Sequence, residues 1–415
     1  MPGTRSPRRS LALGLSLAAA LAGGCGDSDV NPVPPEPPTV AIAAPGSGAV
    51  VSPVGFSVEV SADDDGGVSR VDLYVDGALA VSISAPPYEA FVTTLGLDSL
   101  VTHTVSAVAV DGDGLTAADT IDAIQVLPRR YRQLTSSPIG QQSFEPAWRP
   151  DGLEIAFSRQ GTLETPPKNV YTVPAAGGLP VQRTFSVQQD GNPAYSPDGG
   201  WIAFESDRNA YYQIFAVNPS SGNVVQLTTT GANQRRPTWS VTIGLDSWIA
   251  YESDRSGRDD IYMVGVTPDP DTVSIATPET FADSHDAQDL GPTWSHGGTL
   301  AINSNRNGAF GVVLVEPFLG PEAFQVAGTD LDLYEPHAPT SSPFDTHVAF
   351  VDGTDPDGGG KVWVVPANGD GSERLDLAPG ILGFPNSSDP AWSPDGSSIA
   401  FVSTRTGVRE VWILE

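Results

Sequence analysis

The sequence is short of the residues that staple small proteins or build long helices. It has one cysteine in 415 residues, so no disulfide can form within the chain and packing must supply the stability. Only two lysines, Lys168 and Lys361, and two methionines accompany 44 glycines and 38 prolines, which excludes a long coiled coil or a helical repeat. Basic residues number 21 against 50 acidic ones. With no basic stripe to displace counterions from phosphate, a nucleic-acid partner is excluded. Apolar runs are short as well, and none reaches the roughly 20 residues of a bilayer span. What is present is 39% hydrophobic residues and eight tryptophans, enough for folded cores. Glycine and proline make the chain rich in turns yet leave it below the roughly 25–30% of a low-complexity sequence. The composition is that of an acidic all-β protein, and the length fits two domains behind a leader.

Residues 1–24 carry Arg5, Arg8 and Arg9, then an apolar run over 11–22 and Gly23-Gly24. A basic start and a 12-residue apolar stretch read as a signal peptide. The single cysteine, Cys25, follows directly. This placement resembles a bacterial lipoprotein signal, although Leu21 lies four residues before the cysteine rather than three. The resemblance implies lipidation at Cys25; cleavage and release is the plain alternative. Arg8-Arg9-Ser10-Leu11 also resembles a twin-arginine export signal, which an ordinary basic start explains equally. Both routes place the protein outside the cytoplasm, in the cell envelope, touching a membrane only through a lipid anchor. Residues 25–38 contain five prolines and no apolar periodicity, the composition of an extended tether of about 3.1 Å per residue.

From 39 to 127 short apolar runs alternate with turn clusters, among them Phe56-Ser57-Val58-Glu59-Val60 and Val71-Asp72-Leu73-Tyr74-Val75. Alternation of period two over about 90 residues predicts a β-sandwich. With Asp65-Gly66-Gly67-Val68, Asp76-Gly77 and the run 103–111, the segment resembles bacterial immunoglobulin-like modules, which implies a spacer or adhesive role. Asp63-Asp64-Asp65 and Asp111-Gly112-Asp113 would chelate calcium if their loops met. The alternative is that the turns themselves need Asp and Gly. His103, mid-strand among apolar neighbours, is expected to pack rather than ligate.

Residues 128–415 repeat one phrase: Glu145-Pro146-Ala147-Trp148-Arg149-Pro150-Asp151-Gly152, Asn192-Pro193-Ala194-Tyr195-Ser196-Pro197-Asp198-Gly199, Arg236-Pro237-Thr238-Trp239-Ser240, Gly291-Pro292-Thr293-Trp294-Ser295, Glu335-Pro336-His337-Ala338 and Asp389-Pro390-Ala391-Trp392-Ser393-Pro394-Asp395-Gly396. The aromatic positions, with Ala338 as the fifth, lie 47, 44, 55, 44 and 54 residues apart. Six such units predict a six-bladed β-propeller of four strands per blade. The sixth unit stops after a third strand, 411–415, while 131–135 reads as an outer strand without a unit. Together they complete the last blade and close the ring.

The repeat Pro-x-Trp-Ser-Pro-Asp-Gly, then Ile-Ala-Phe-x-Ser-x-Arg, resembles the TolB-type propeller family. Units 4 and 5 depart from it, with Ser295-His296-Gly297-Gly298 and Ser341-Ser342-Pro343-Phe344 in place of the turn. The resemblance implies an envelope protein whose propeller docks another protein. An immunoglobulin-like module replaces the small α/β domain of TolB, so that family's own partners are not implied here.

Residues that recur in most blades are expected to carry the fold. The triplets Ser206-Asp207-Arg208, Ser253-Asp254-Arg255, Ser304-Asn305-Arg306 and Ser403-Thr404-Arg405 read as loop and inter-blade hydrogen bonding, and the tryptophans as core. The residue before each repeated proline varies instead: Glu145, Asn192, Arg236, Gly291, Glu335 and Asp389. These should ring the channel rim and form the candidate binding site, unless the rim is merely solvated. Enzymatic readings are weaker. No Gly-x-Ser-x-Gly occurs, no chain follows Glu415 for a hydrolase domain, and Ser196-x-Asp198-x-Gly200 lacks the Thr-Trp of a sialidase Asp-box. His285, His296, His337 and His347 have no ligand-like spacing. The expectation is an exported, non-enzymatic lipoprotein with an unidentified envelope protein partner and no cofactor beyond possible calcium. The alternatives are a surface carbohydrate-binding or adhesion protein, favoured by Phe144 and Tyr334 near the rim, and, less so, a propeller-type polysaccharide lyase or hydrolase.

Overall fold

A computed structural model describes residues 35–161, 167–240, 247–268, 273–275, 279–280, 287–306, 308, 310–317, 323–327, 339–352, 360–367, 375–377 and 387–415. Among them there is no α-helix, and the one helical element is the 3-10 turn Pro343–Asp345.

The first module has eight strands: β1 (Thr39–Ala44), β2 (Val50–Val51), β3 (Gly55–Asp63), β4 (Val68–Val75), β5 (Ala78–Ile83), β6 (Tyr88–Thr93), β7 (Thr102–Asp111) and β8 (Thr116–Val126). They form two sheets, β1-β3-β6 and β2-β8-β7-β4-β5. Alternate residues point inward, so Val58, Val71, Leu73, Val105, Ala107 and Ile124 fill the space between the sheets. The paired ends Val68 and Asp111 bring the two acidic loops to one end of the sandwich. There Asp64 accepts the N–H of Gly66, and Asp111 those of Asp113 and Leu115, so both carboxylates cap their own turns. His103 is buried, with Nδ1 2.6 Å from Asp76 Oδ2 and Nε2 2.8 Å from the Asp98 carbonyl.

The second module is a ring of six antiparallel blades, five of four strands and the third with a further short strand, Glu279–Thr280, paired to its third strand. Their inner strands are Gln142–Trp148, Asp190–Tyr195, Gln234–Trp239, Asp289–Trp294, Thr340–Ser341 and Ser387–Trp392. Their second strands are Glu154–Gln160, Ile202–Asn209, Ser247–Ser253, Leu300–Ser304, His347–Asp352 and Ile399–Ser403. The second strands are covered on both faces by neighbouring blades, which is why Ile-Ala-Phe runs rather than alternating ones occur there. In blade 6 the outer strand is Tyr131–Gln133, paired antiparallel with Glu410–Leu414 in the register Trp412–Gln133, Ile413–Arg132 and Leu414–Tyr131. The inner strands of blades 6 and 1 touch as those of successive blades do, so the ring is closed.

Serine and aspartate shape the turn between the inner and second strands. Ser196 Oγ donates to Asp198 Oδ1 at 2.5 Å and accepts the N–H of Trp201, while Gly200 N–H donates to Asp198. Ser393, Asp395 and Ser398 repeat this in blade 6. The Asp-box-like residues are therefore turn caps.

In blades 2, 3 and 4 the triplets make the expected loop hydrogen bonds, but these tie a blade to itself and not to its neighbour. Arg208 Nη2 reaches Asp190 at 2.8 Å, Arg306 Nη2 reaches Asp289 at 3.1 Å, and each arginine Nε donates to the triplet serine. Asp207, Asp254 and Asn305 accept the N–H groups of Gln189, Asn233 and Gln288. The loop after the second strand folds back over the entry to its own inner strand, so its polar groups meet that entry and not the next blade.

A candidate binding site in the central channel

In the five units whose repeat is described, the residue before the proline lies inside the inner strand, at a β-bulge, and not in the connection that leads to it. Ladder pairing skips from Phe144 to Ala147, Gly191 to Ala194, Arg235 to Thr238, Leu290 to Thr293 and Ser388 to Ala391. At each bulge the backbone turns left-handed, with φ of +55° at Glu145, +49° at Asn192, +49° at Arg236, +55° at Gly291 and +50° at Asp389. For a residue with a Cβ this conformation costs about 1–3 kcal/mol unless its surroundings hold it.

At three of these bulges, Asn192, Arg236 and Gly291, a carboxylate of the preceding blade holds it. Glu205 accepts the N–H of Arg236 at 2.9 Å, and Glu252 accepts that of Gly291 at 3.1 Å. Both glutamates follow the buried aromatic of their second strands. In blade 1 that position is Ser158, too short to reach, and Glu145 itself accepts the Asn192 N–H at 2.8 Å. Ser158 Oγ donates to the same carboxylate at 2.6 Å, and Lys168 Nζ donates to its other oxygen. In blades 5 and 6 the position is apolar, Val351 and Val402.

These groups set the channel's electrostatics. Burial pushes the Glu145 carboxyl up, but the Lys168 ammonium and the hydrogen bonds from Lys168, Ser158 and Asn192 outweigh it and leave the group below its ordinary range. Burial would lower Lys168, yet Glu145 and Glu205 hold it above its ordinary value. Arg236 is raised against burial by Glu252, which it meets at 3.2 Å, and by Glu205. Glu252 is pushed up by burial despite Arg236. Asp389 accepts a hydrogen bond from Ser388 Oγ at 2.9 Å and has no ion-pair partner among the described residues.

At the end of the channel where inner strands turn into second strands lies a cavity of about 540 Å³. Its walls are Trp148, Tyr195, Trp239, Trp294 and Trp392 with the repeated prolines, and Glu145, Asn192, Arg236 and Asp389 converge on it. Trp148 is fixed by a hydrogen bond from Nε1 to the Ala391 carbonyl across the blade 6 to blade 1 seam. Four sequence-predicted residues thus line one cavity. Glu145 and Arg236 are there as paired, half-buried charges that hold the wall, whereas Asn192 and Asp389 have polar groups to offer. Glu335, Cys25, Tyr334, His285 and His337 lie outside the described residues. His296 is at the cavity edge, and His347 is buried with Nδ1 3.1 Å from Thr346 Oγ1. Among the described residues no three or more His, Cys, Asp or Glu side chains converge as a metal site, and no helix is long and apolar enough to cross a membrane.

Sequence reasoning passed over Lys168, Glu205 and Glu252. For the two glutamates the signal was the variable position after the aromatic of the Ile-Ala-Phe-type strands; Lys168, on the third strand of blade 1, had none beyond the scarcity of lysine.

The closed ring of bulged blades with a lined channel, behind a two-sheet sandwich, defines a β-propeller carrying an immunoglobulin-like module. A TolB beta propeller domain model matches residues 121–245, and a bacterial Ig domain model matches residues 38–115. Similar solved structures include TolB from Acinetobacter baumannii, 16% identical over 86% of this chain and 83% of that one, with a TM-score of 0.47. An oligogalacturonate lyase from Vibrio parahaemolyticus is 11% identical over 84% of this chain and 98% of that one, with a TM-score of 0.45. An 86-residue stretch, 21% of the chain, is 28% identical to an uncharacterized protein of Agrobacterium fabrum, so the chain spans 28% of that relative's length.

Proposed function

We propose that the protein is an exported, non-enzymatic binding protein of the bacterial envelope, anchored through a lipid on Cys25, whose propeller docks a segment of a partner protein in the channel cavity. The observation that carries this reading is the cavity itself. Its walls are built from residues that repeat, while its polar groups differ from blade to blade. A volume of about 540 Å³ with mostly apolar walls and a few converging polar groups is within the usual range for a binding site. Asn192 and Asp389 give the bound segment its orientation; Glu145 and Arg236 keep the wall in place.

Photocrosslinking in cells tests the docking. A benzophenone side chain at Asn192 should yield an adduct with an envelope protein, and one at the exposed outer-strand residue Val224 should not. Equal adducts from both positions, or none from Asn192, would count against the cavity. Anchoring is tested separately: Cys25→Ser should move the protein from the membrane fraction to the soluble one, because the acyl chains leave with the thiol. A lipid-free N-terminal peptide in the wild type would contradict the anchor. A second reading, a carbohydrate ligand, is favoured by the aromatic wall. It would appear as glycan-array binding abolished by Trp239→Ala.

A further inference from the structure

β6 lies at the edge of its sheet, and its alternation sends Tyr88, Ala90 and Val92 into the sandwich core. Phe91 therefore points out of the sandwich, on the side where an edge strand normally faces water. It is nevertheless only 1% exposed, because the propeller covers it. With Val54 and Leu95 it joins the hydrophobic layer between blades 5 and 6, beside Val351 and Phe401. Its ring meets Trp392 edge-on, centroids 5.5 Å apart and planes at 80°. Two glycines, one in each module, make room: a Cβ at Gly55 or Gly396 would lie 2.1 or 2.3 Å from the Phe91 ring. Thr346 Oγ1 donates to the Phe91 carbonyl at 3.0 Å, and Ser52 Oγ donates to the Ser397 carbonyl at 2.5 Å.

Of the two receiving turns, that of blade 6 keeps the repeat's Pro394-Asp395-Gly396 and that of blade 5 departs from it. Blade 5 replaces Pro-Asp-Gly with a sequence that forms the 3-10 turn Pro343–Asp345, and Thr346 follows it. Asp345 then accepts the N–H groups of Gly297 at 2.6 Å and His296 at 3.2 Å in the irregular turn of blade 4. The module thus reaches two residues of the cavity, Trp392 directly and His296 through Thr346 and Asp345.

We infer that the immunoglobulin-like module is a fixed support of the cavity rather than a free spacer, with Phe91 as the positioning residue for Trp392. Seating of the module sets the shape of the cavity wall at blades 4 to 6. The geometry stands by itself; only the use made of the cavity rests on the proposed docking.

The test uses the full chain labelled with 5-fluorotryptophan, with the Trp392 resonance assigned through Trp392→Phe. In Phe91→Ala the Trp392 fluorine resonance should shift, and amide protection should be lost over residues 341–347 and 387–398 but not in blades 1 to 3. Leu73→Ala, a sandwich-core control, should leave the Trp392 resonance in place while the module remains folded. If Phe91→Ala does not fold, Ser52→Ala with Thr346→Val carries the test, and the same signals should move. An unmoved Trp392 resonance in a folded Phe91→Ala protein, or equal loss of protection in all blades, would overturn the inference. Neither result would touch the crosslinking at Asn192, and a failed crosslink would leave the Trp392 shift to stand.

Discussion

Glu145 is one side chain doing what two do elsewhere: it supplies the carboxylate that Ser158 cannot, and it occupies a bulge itself. Its partner Lys168 is one of only two lysines in the chain. Lys168→Met would leave the carboxylate enclosed and unpaired. The loss should approach the roughly 3–5 kcal/mol of a broken buried pair and exceed the less than about 1 kcal/mol of an exposed one, measured by urea unfolding. The two described buried histidines should respond to pH with opposite signs. Burial lowers His103, but its hydrogen bonds to Asp76 and the Asp98 carbonyl, both acceptors, raise it above its ordinary 6.5. The folded state therefore favours the imidazolium, and that stabilisation is full below 6.5 and lost as pH rises through the raised value. His347 is pushed down to about 4 by burial. Its contribution is full above 6.5 and is lost as pH falls from there toward 4. Melting curves of His103→Gln and His347→Gln against pH should each remove one of these slopes. A wild-type slope that survives in its own mutant would refute the assignment. Neither sign was legible in the sequence, since both depend on what faces the ring.

At the level of strands and turns, much of the propeller was legible because recurrence within one chain does the work of an alignment. The Pro-Asp-Gly turns, the Ile-Ala-Phe strands and the surplus strand at 131–133 follow from spacing and turn chemistry. The bulges were not legible. A left-handed residue before proline leaves no composition signal when it is Glu, Asn, Arg or Asp. The triplets were rightly placed in loop hydrogen bonding but, in blades 2 to 4, wrongly between blades, because spacing does not say which way a loop folds. The closing strand carries a direct prediction. Tyr131 donates its hydroxyl to the Leu377 carbonyl at 2.6 Å, and Arg132 pairs with Glu415 at 2.9 Å, so the strand contributes more than its ladder. Deleting residues 131–135 should lower the melting temperature and promote aggregation through the bared edge at Glu410–Leu414. An unchanged melting curve would mean that the ring is closed by something else.

Over the whole molecule, 50 acidic against 21 basic residues keep the surface negative, while the channel pairs Glu145 with Lys168 and Arg236 with Glu252 and leaves Asp389 without an ion-pair partner among the described residues. The sequence marked two modules but offered no sign that they share a hydrophobic layer. Phe91 falls in none of the runs that the sequence singles out, and only its outward direction, read with Gly55 and Gly396, reveals the contact. The central claim is that the cavity's polar side chains that differ from blade to blade and are not ion-paired bind, whereas those that repeat or are paired hold the fold. It is tested by comparing Asp389→Lys with Asp207→Ala/Arg208→Ala, measuring capture of the crosslinked partner and melting temperature on the same preparations. Asp389 is not ion-paired within the described residues, so its reversal should weaken capture by far more than it lowers the melting temperature. The Asp207/Arg208 pair, which clips the blade 2 loop to Gln189 and Asp190, should lower the melting temperature before it touches capture. Capture that falls equally in both proteins, in step with their melting temperatures, would contradict the account.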